Sequence, residues 1–256
     1  SLKSYLSKLG VEIKEYIDEP LNYYASSKLN VDEASLVIKS IANACKSSDC
    51  VLLGGETAEM PGHYVDDNFD LAGFSVGCVE KKKVLKKDDI VEDDILIGIE
   101  SSGPHSNGFS LIRSILSKSK KTEEEKEKIA LKALKPTLLY PKLVGSITKQ
   151  YKIKSISHIT GGGLTENLPR SIPESLSVEI DTQSWQITNV FNWLKEEGNI
   201  TNSDMFRIFN CGIGMVLIVD KKDEKDIRFS IEKFGFKSYK IGKVTKNTGV
   251  QKVVFS

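Results

Sequence analysis

Two carboxylates and a hydroxyl stand on a glycine-bounded stretch, Gly54-Gly55-Glu56-Thr57-Ala58-Glu59-Met60-Pro61-Gly62, behind a short apolar run. Glycine lets the backbone approach a ligand closely and take positive φ. Glu56 and Glu59 are hard oxygen ligands of the kind Mg²⁺ selects, and Thr57 adds a hydroxyl. That set suits a metal–nucleotide site; a tight turn with two solvated glutamates fits it too. A second stretch, Ser101-Ser102-Gly103-Pro104-His105-Ser106-Asn107-Gly108, gathers hydroxyls, an imidazole and an amide where a strand hands over to a helix. Helix N-termini favour anions, and His105 could orient or protonate a substrate oxygen. Asn107 as a plain helix cap and His105 as a satisfied turn histidine is the alternative. A third stretch, His158-Ile159-Thr160-Gly161-Gly162-Gly163-Leu164-Thr165-Glu166-Asn167, puts three glycines between a strand and a helix. Their N–H groups suit a phosphate, although the run is neither a Walker A loop nor the G-x-G-x-x-G fingerprint, so a Rossmann reading is disfavoured. The fourth, Phe209-Asn210-Cys211-Gly212-Ile213-Gly214-Met215, opens a strand with Asn210 as a candidate ligand-facing amide. Cys211 has no basic neighbour in sequence to activate it and reads as a structural thiol.

Those four stretches contain ten of the 19 glycines, and all three histidines (His63, His105, His158) lie in or beside the first three. The elements that must hold them alternate. Helical spacing covers residues 32–46, with Asn30 or Asp32 as the cap. Strands are expected over 50–53, 71–80 and 95–100. Helices follow over 108–117, 123–134 (charged and solvated) and 138–150. Then come strands over 153–160 and 177–180, a helix over 190–195, a strand over 213–219, a helix over 222–234, and strands over 238–244 and 250–255. Alternation of this kind places the chain in the α/β or α+β class. The basic run 81–87 suggests a boundary, giving domains of residues 1–83 and 84–256. Trp185 and Trp193 read as packing residues of the second domain, and Lys81, Lys82 and Lys83 as a solvated surface.

Charge excludes several roles. With 36 Lys and Arg against 35 Asp and Glu, the net charge is +1, so no overall field favours nucleic acid or an anionic membrane. No run of 18 apolar residues exists, so no membrane span is expected. Residues 1–16 lack the apolar core of a signal peptide, which points to a cytoplasmic protein. The hydrophobic share of 39% is enough for a packed core. Cys45, Cys50, Cys78 and Cys211 form no C-x-x-C pair and are expected to be reduced, mostly buried thiols.

Taken together and in order, these stretches resemble aminoimidazole ribonucleotide synthetase, the phosphoribosylformylglycinamidine cyclo-ligase of the PurM-like family. The matching strings are GGETAEMPG (54–62), SSGPHSNGFSLIR (101–113), HITGGGLTENLPR (158–170) and FNCGIGM (209–215), joined by NYYASSKLNVD (22–32) and SWQITNVFNWL (184–194). The resemblance implies two α/β domains, the first closing a β-barrel across a homodimer with ATP near that interface. It implies ATP-dependent ring closure of formylglycinamidine ribonucleotide to aminoimidazole ribonucleotide, with ADP and phosphate released, in purine biosynthesis. The formyl amide oxygen is activated by phosphoryl transfer, and the amidine nitrogen then closes the ring. On that reading Gly54, Gly55, Glu56 and Thr57 serve the Mg²⁺–triphosphate, with Glu56 as metal ligand. His105 and Asn107 act at the reacting centre, Ser106 and the Gly161, Gly162, Gly163 turn hold phosphate, and Asn210 contacts ligand.

The chain departs from that family near its start. Residues 4–13 resemble the family's extreme N-terminus, whereas Glu19 onward resembles a point well inside the first domain. The Gly-Thr-Asp-Gly-Val-Gly-Thr-Lys segment expected between them, at about residues 18 and 19, is missing. The expectation is that the protein has this segment rather than having lost it; were it truly deleted, a non-catalytic nucleotide-binding subunit would be the alternative. Two ATP-using relatives fit less well. The hydrogenase-maturation protein needs a C-terminal cysteine where this chain ends Val-Val-Phe-Ser, and selenophosphate synthetase needs a reactive cysteine before Cys45.

Overall fold

The computed structural model describes residues 22–249 and 252–256. The expected junction at residues 18 and 19 lies outside them. The chain divides into two compact units, Ser1–Val79 and Glu80–Ser256.

In the first unit, β1 (Asn22–Ser26) leads into α1 (Val31–Ser47), followed by β2 (Glu56–Glu59) and β3 (Phe69–Gly73). Asn30 is the α1 cap: its Oδ1 accepts the Asp32 and Glu33 N–H groups at 3.1 and 3.3 Å. Asp32 and Glu33 in the first turn and Lys46 in the last match the helix dipole. The sheet order is β2-β1-β3, with β1 parallel to β2 and antiparallel to β3. The strand expected over 50–53 is absent; pairing starts only at Glu56, opposite Tyr23. Gly55 explains the position. A Cβ there would stand 2.8 Å from the Asn22 carbonyl oxygen, so this is where the chain first comes alongside β1. Likewise the strand expected over 71–80 is shorter and earlier, at Phe69–Gly73.

The second unit is built on six strands. In chain order it runs β4 (Ile95–Glu100), α2 (Phe109–Lys118), α3 (Glu123–Ala133), α4 (Pro141–Gln150), β5 (Ile153–His158), α5 (Gly163–Asn167), β6 (Leu176–Ile180), α6 (Asn189–Glu197), α7 (Asn202–Ile208), β7 (Ile213–Val219), α8 (Glu224–Lys233), β8 (Ser238–Lys246) and β9 (Val253–Phe255). The sheet order is β5-β7-β4-β8-β6-β9, antiparallel throughout except for β6 with β9.

Antiparallel sheets often leave one face wet, but the central strands here, ILIGI and IGMVLIV, are apolar at successive positions because both faces are covered. Ile95, Ile97, Ile99, Leu217 and Val219 pack against Leu143 and Ile147 of α4 and Ile227 and Ile231 of α8. Leu96, Val216 and Ile218 face the other way, onto Ile112, Phe191, Leu194, Phe206 and Phe209. Each such side chain contributes about 1.5–3 kcal/mol on burial. The mixed α/β class is thus observed, with a mainly antiparallel sheet.

The helix expected from residue 138 starts at Pro141, whose fixed φ suits a first helical position. Helix α3 carries a capping box between Thr122 and Glu125 and buries only Ala133, as a solvated helix should. Helix α7 was not expected from sequence; its cap is Thr201, which accepts the Asp204 N–H at 3.1 Å. No described helix is long and apolar enough to cross a membrane.

Candidate functional site

Strands β4 and β5 end, and β7 begins, at one end of the six-stranded sheet. Three of the four glycine stretches therefore meet there. The Ser101 N–H donates to the Gly212 carbonyl at 2.9 Å, and the Ile159 N–H to the Gly214 carbonyl at 2.9 Å. Gly108 lies on the Phe209 ring, closely enough that a Cβ would collide with it. Asn107 Oδ1 stands 3.5 Å from where a Gly161 Cβ would be.

His105 sits at the centre, 4% exposed and at φ 57°. Its Nε2 accepts the Ser102 N–H at 3.2 Å, which closes the turn on itself and leaves the proton of the neutral ring on Nδ1. Nδ1 is buried and has no partner. Burial, with a smaller contribution from His158, pushes the pKa of His105 down to about 4. At neutral pH His105 is therefore an uncharged donor through Nδ1–H. It can orient a substrate oxygen, which was one of its two expected roles; it holds no imidazolium proton to give, which was the other. Beside it, Tyr140 donates from Oη to the Glu100 carbonyl at 2.7 Å, and burial holds its phenol protonated. The Tyr140 ring lies 6.3 Å from that of His105 and 6.0 Å from that of His158.

The helix cap next to this turn is Gly108, left-handed at φ 76°, and not Asn107. The Asn107 side chain makes no hydrogen bond among the described residues and is half-buried, while Ser106 is exposed. Both are thus available to a ligand. Asn210 is committed differently. It is 2% exposed; its Oδ1 accepts from Ser101 Oγ and the Gly212 N–H, both at 2.9 Å, and its Nδ2 donates to the Gly103 carbonyl at 2.9 Å. It ties two of the glycine stretches together, with both amide atoms bonded to the protein and the side chain buried, so its observed role is to hold these loops.

The triple glycine turns over Asn167, whose Nδ2 donates to the Gly161 and Gly163 carbonyls at 3.1 and 2.7 Å. A Cβ on Gly163 would stand 2.6 Å from the Phe209 carbonyl oxygen, so only glycine fits. Sequence reasoning gave no role to Asn167 or Tyr140. The signal for Asn167 was its spacing, four residues after Gly163. The Glu166 carboxylate lies over Gly162, with Oε2 2.7 Å from a would-be Cβ, so an anion held by this turn needs a cation with it.

Cys211 is fully buried, its Sγ donates to the Met205 carbonyl at 3.4 Å, and burial pushes its pKa up to about 12, so it is inert as expected. The other thiols differ from expectation: Cys50 and Cys78 are exposed and Cys45 is half-buried. Trp185 is buried, donating from Nε1 to the Cys211 carbonyl at 2.9 Å.

Gly54, Gly55, Glu56 and Thr57 belong to the first unit, where they line a pocket of about 380 Å³ with walls including Tyr23, Ile38, Leu53 and Leu71. Alternation along β2 sends Glu56 to one face and Thr57 and Glu59 to the other. Glu59 Oε1 accepts the Leu29 N–H at 2.8 Å. The two glutamates therefore do not converge, and the described residues contain no group of three or more metal-ligating side chains. Glu56, exposed, is the carboxylate in this pocket. One carboxylate fits Mg²⁺, which keeps several waters and takes its remaining oxygens from substrate phosphates.

Several solved structures share the fold. Hydrogenase maturation protein HypE of E. coli superposes with a TM-score of 0.64 at 13% identity, over 91% of this chain and 68% of that one. Thiamine-monophosphate kinase from Stenotrophomonas maltophilia K279a gives 0.61 at 13% identity, over 92% and 71%. The Aquifex aeolicus thiamine monophosphate kinase gives 0.54 at 14% identity, over 92% and 72%. Residues 91–254, which hold all but the last residue of the six-stranded sheet and all three clustered glycine stretches, match the family described as AIR synthase related protein, C-terminal domain. The chain belongs to that family.

Proposed function

We propose that the protein catalyses ATP-dependent cyclisation of formylglycinamidine ribonucleotide to aminoimidazole ribonucleotide. The single observation that carries this reading is the buried His105 Nδ1–H, unpartnered beside the free Asn107 amide and the Gly161 turn. Ring closure asks for oriented donors more than for a protein nucleophile, and Cys211, the cysteine of this cluster, is unreactive.

The formyl amide oxygen attacks the γ-phosphorus and ADP leaves. The amidine nitrogen then attacks the resulting imidoyl carbon, loses a proton and expels phosphate. His105 Nδ1–H donates to an oxygen of the formyl or phosphoryl group, Asn107 orients the folded substrate, and Ser106 and the Gly161–Gly163 turn hold phosphate. Asn210 acts through the backbone it ties. Glu56 would hold Mg²⁺, which screens phosphate charge when bound, and Gly54, Gly55 and Thr57 border the nucleotide. ATP use is supported by proteins of this fold: hydrogenase maturation protein HypE has been solved in complex with ATP, and AaThiL complexed with AMPPCP and TMP. The first unit pairs with that of a second copy to close a barrel, consistent with exposed Phe69, Leu71, Phe74 and Val76.

The test is ATP-dependent formation of aminoimidazole ribonucleotide, followed as its coloured diazo adduct. Nucleotide binding without product would overturn the reading and leave a non-catalytic nucleotide-binding subunit.

A further inference from the structure

Helix α1 ends in a Schellman turn, and cysteines occupy the two positions that such a turn brings together. The Cys50 N–H donates to the Cys45 carbonyl at 2.9 Å and the Asp49 N–H to the Lys46 carbonyl at 3.3 Å, with Asp49 left-handed at φ 55°. In this motif the side chains of the first and last residues commonly touch as an apolar clasp. Here both are thiols, Cys45 half-buried and Cys50 exposed. A cysteine that serves only as a small hydrophobe belongs among the most buried residues, so the exposure of Cys50 departs from that role.

The main-chain bond also fixes the reach. With 2.9 Å between the Cys50 nitrogen and the Cys45 oxygen, the two Cα atoms stand no farther apart than the ~6.8 Å that a disulfide spans. Cys50 Sγ rests 3.9 Å from the Val51 carbonyl oxygen, a weak contact that a rotation about χ1 exchanges for Cys45. The pair links two walls of the first unit's pocket. Ile41 and Ile38 stand one and two turns before Cys45 on the same face of α1. They line that pocket together with Leu52, Leu53, Gly54 and Gly55, which follow Cys50.

We propose that Cys45 and Cys50 form a reversible disulfide that fastens the 51–55 segment to the end of α1. A small disulfide such as oxidised glutathione is the oxidant. The thiolate of Cys50, the more exposed of the two, attacks one of its sulfurs; the S–S bond breaks and one glutathione leaves. The thiolate of Cys45 then attacks Cys50 Sγ and the second glutathione leaves. The pair gives up two electrons and two protons, the oxidant becomes two thiols, and excess reduced glutathione runs both exchanges backwards. Neither thiol enters the cyclisation, so the inference does not depend on that reading.

The test equilibrates the full chain with oxidised glutathione, caps remaining thiols by alkylation and digests with trypsin, which cuts after Lys46, between the two cysteines. The expected product is residues 40–46 joined to residues 47–81 by a bond that reduction cleaves. Residues 47–81 also contain Cys78, so two variants assign the bond: Cys78→Ser should keep it and Cys50→Ser should abolish it. Both replace exposed thiols, so the fold should hold. Amide exchange over residues 51–55 should slow at least ~5-fold in the bridged form, because the closed ring restricts local opening, and should return to its starting rate on reduction. Glutathione left on Cys50 without a bridge, a bond to Cys78 or to a second molecule, or exchange unaltered by bridging would each overturn the proposal.

Discussion

Gly214 and Tyr140 occupy space that only one side chain can fill. A Cβ at 214 would collide with Tyr140 Oη and stand 2.8 Å from His105 Cε1. The bare backbone at the start of β7 is what lets the phenol reach the Glu100 carbonyl and the imidazole lie beneath its own loop. A residue near the start of one strand thus sets the position of a candidate donor carried by the loop after its neighbour.

Gly214→Ala should therefore cost about 1–3 kcal/mol, the range for overpacking a core. The imidazole must also shift, so turnover should fall together with stability. Urea unfolding and the aminoimidazole ribonucleotide assay on the same preparation test the coupling. An alanine variant with wild-type stability and turnover would show that the close approach is irrelevant.

His105 makes a prediction that depends on which nitrogen works. Replacement by Ala should cut turnover at least ~10²-fold, the lower range for removing one preorganised hydrogen-bond donor. Asn can place an N–H near the position of Nδ1 and tolerates positive φ better than most residues. His105→Asn should thus retain more activity than His105→Gln, whose amide reaches instead toward Nε2. The reverse order would assign the role to Nε2.

The same side chain predicts a pH dependence of stability. Its folded pKa, about 4, is below the ordinary 6.5. As pH falls below 6.5 the unfolded chain takes up a proton that the folded chain refuses, so stability is full above 6.5 and is lost toward 4. The difference approaches ~3 kcal/mol at the acid end. His158 is shifted in the same direction by partial burial. Urea midpoints at pH 7 and 4.5 should separate more for wild type than for His105→Asn. Equal separations would mean that His105 is solvated and titrates normally.

Asn210→Ala removes three hydrogen bonds at once, leaving Ser101 Oγ, the Gly212 N–H and the Gly103 carbonyl without this partner. Buried polar groups left unpaired cost about 1–3 kcal/mol each, although relaxation makes the sum smaller. Loss of the clamp should loosen the His105 turn, so turnover should fall with substrate KM little changed. A raised KM with unchanged kcat would instead give Asn210 a direct contact with substrate.

Glycine was the most legible part of this chain. Gly108, Gly162 and Gly212 take positive φ, and Gly55, Gly163 and Gly214 admit a neighbour where a Cβ would not fit. Such demands leave one residue type and so show in sequence. The buried runs of β4 and β7 were legible for a similar reason, since both faces exclude polar groups. What escaped was decided by distant partners. The short β1 became a strand because β2 and β3 pair with it, and the NYYAS string has too few residues to announce a period. Asn210 looked like a ligand contact because its three partners lie on two loops, one of them more than a hundred residues away. Asn107 stood in the right place to cap α2, but the backbone enters the helix through a left-handed Gly108 and leaves that amide free.

Stability and chemistry should be separable at the far end of the sheet. Lys154 of β5 and Asp94, which precedes β4, form an ion pair at 2.6 Å with side chains only 9% and 4% exposed, while Asp94 Oδ2 also accepts the Val91 N–H at 2.8 Å. Strand β7 lies between their strands, so the pair spans the sheet at the end away from the His105 turn. Lys154→Met leaves a buried carboxylate uncompensated and should cost about 3–5 kcal/mol. Lys154→Met/Asp94→Asn, which removes both charges, should cost much less than the sum of the single changes. Turnover per folded molecule should stay at the wild-type value in all three variants. Single variants within ~0.5 kcal/mol of wild type would mean that water reaches the pair and that it acts as an ordinary surface contact.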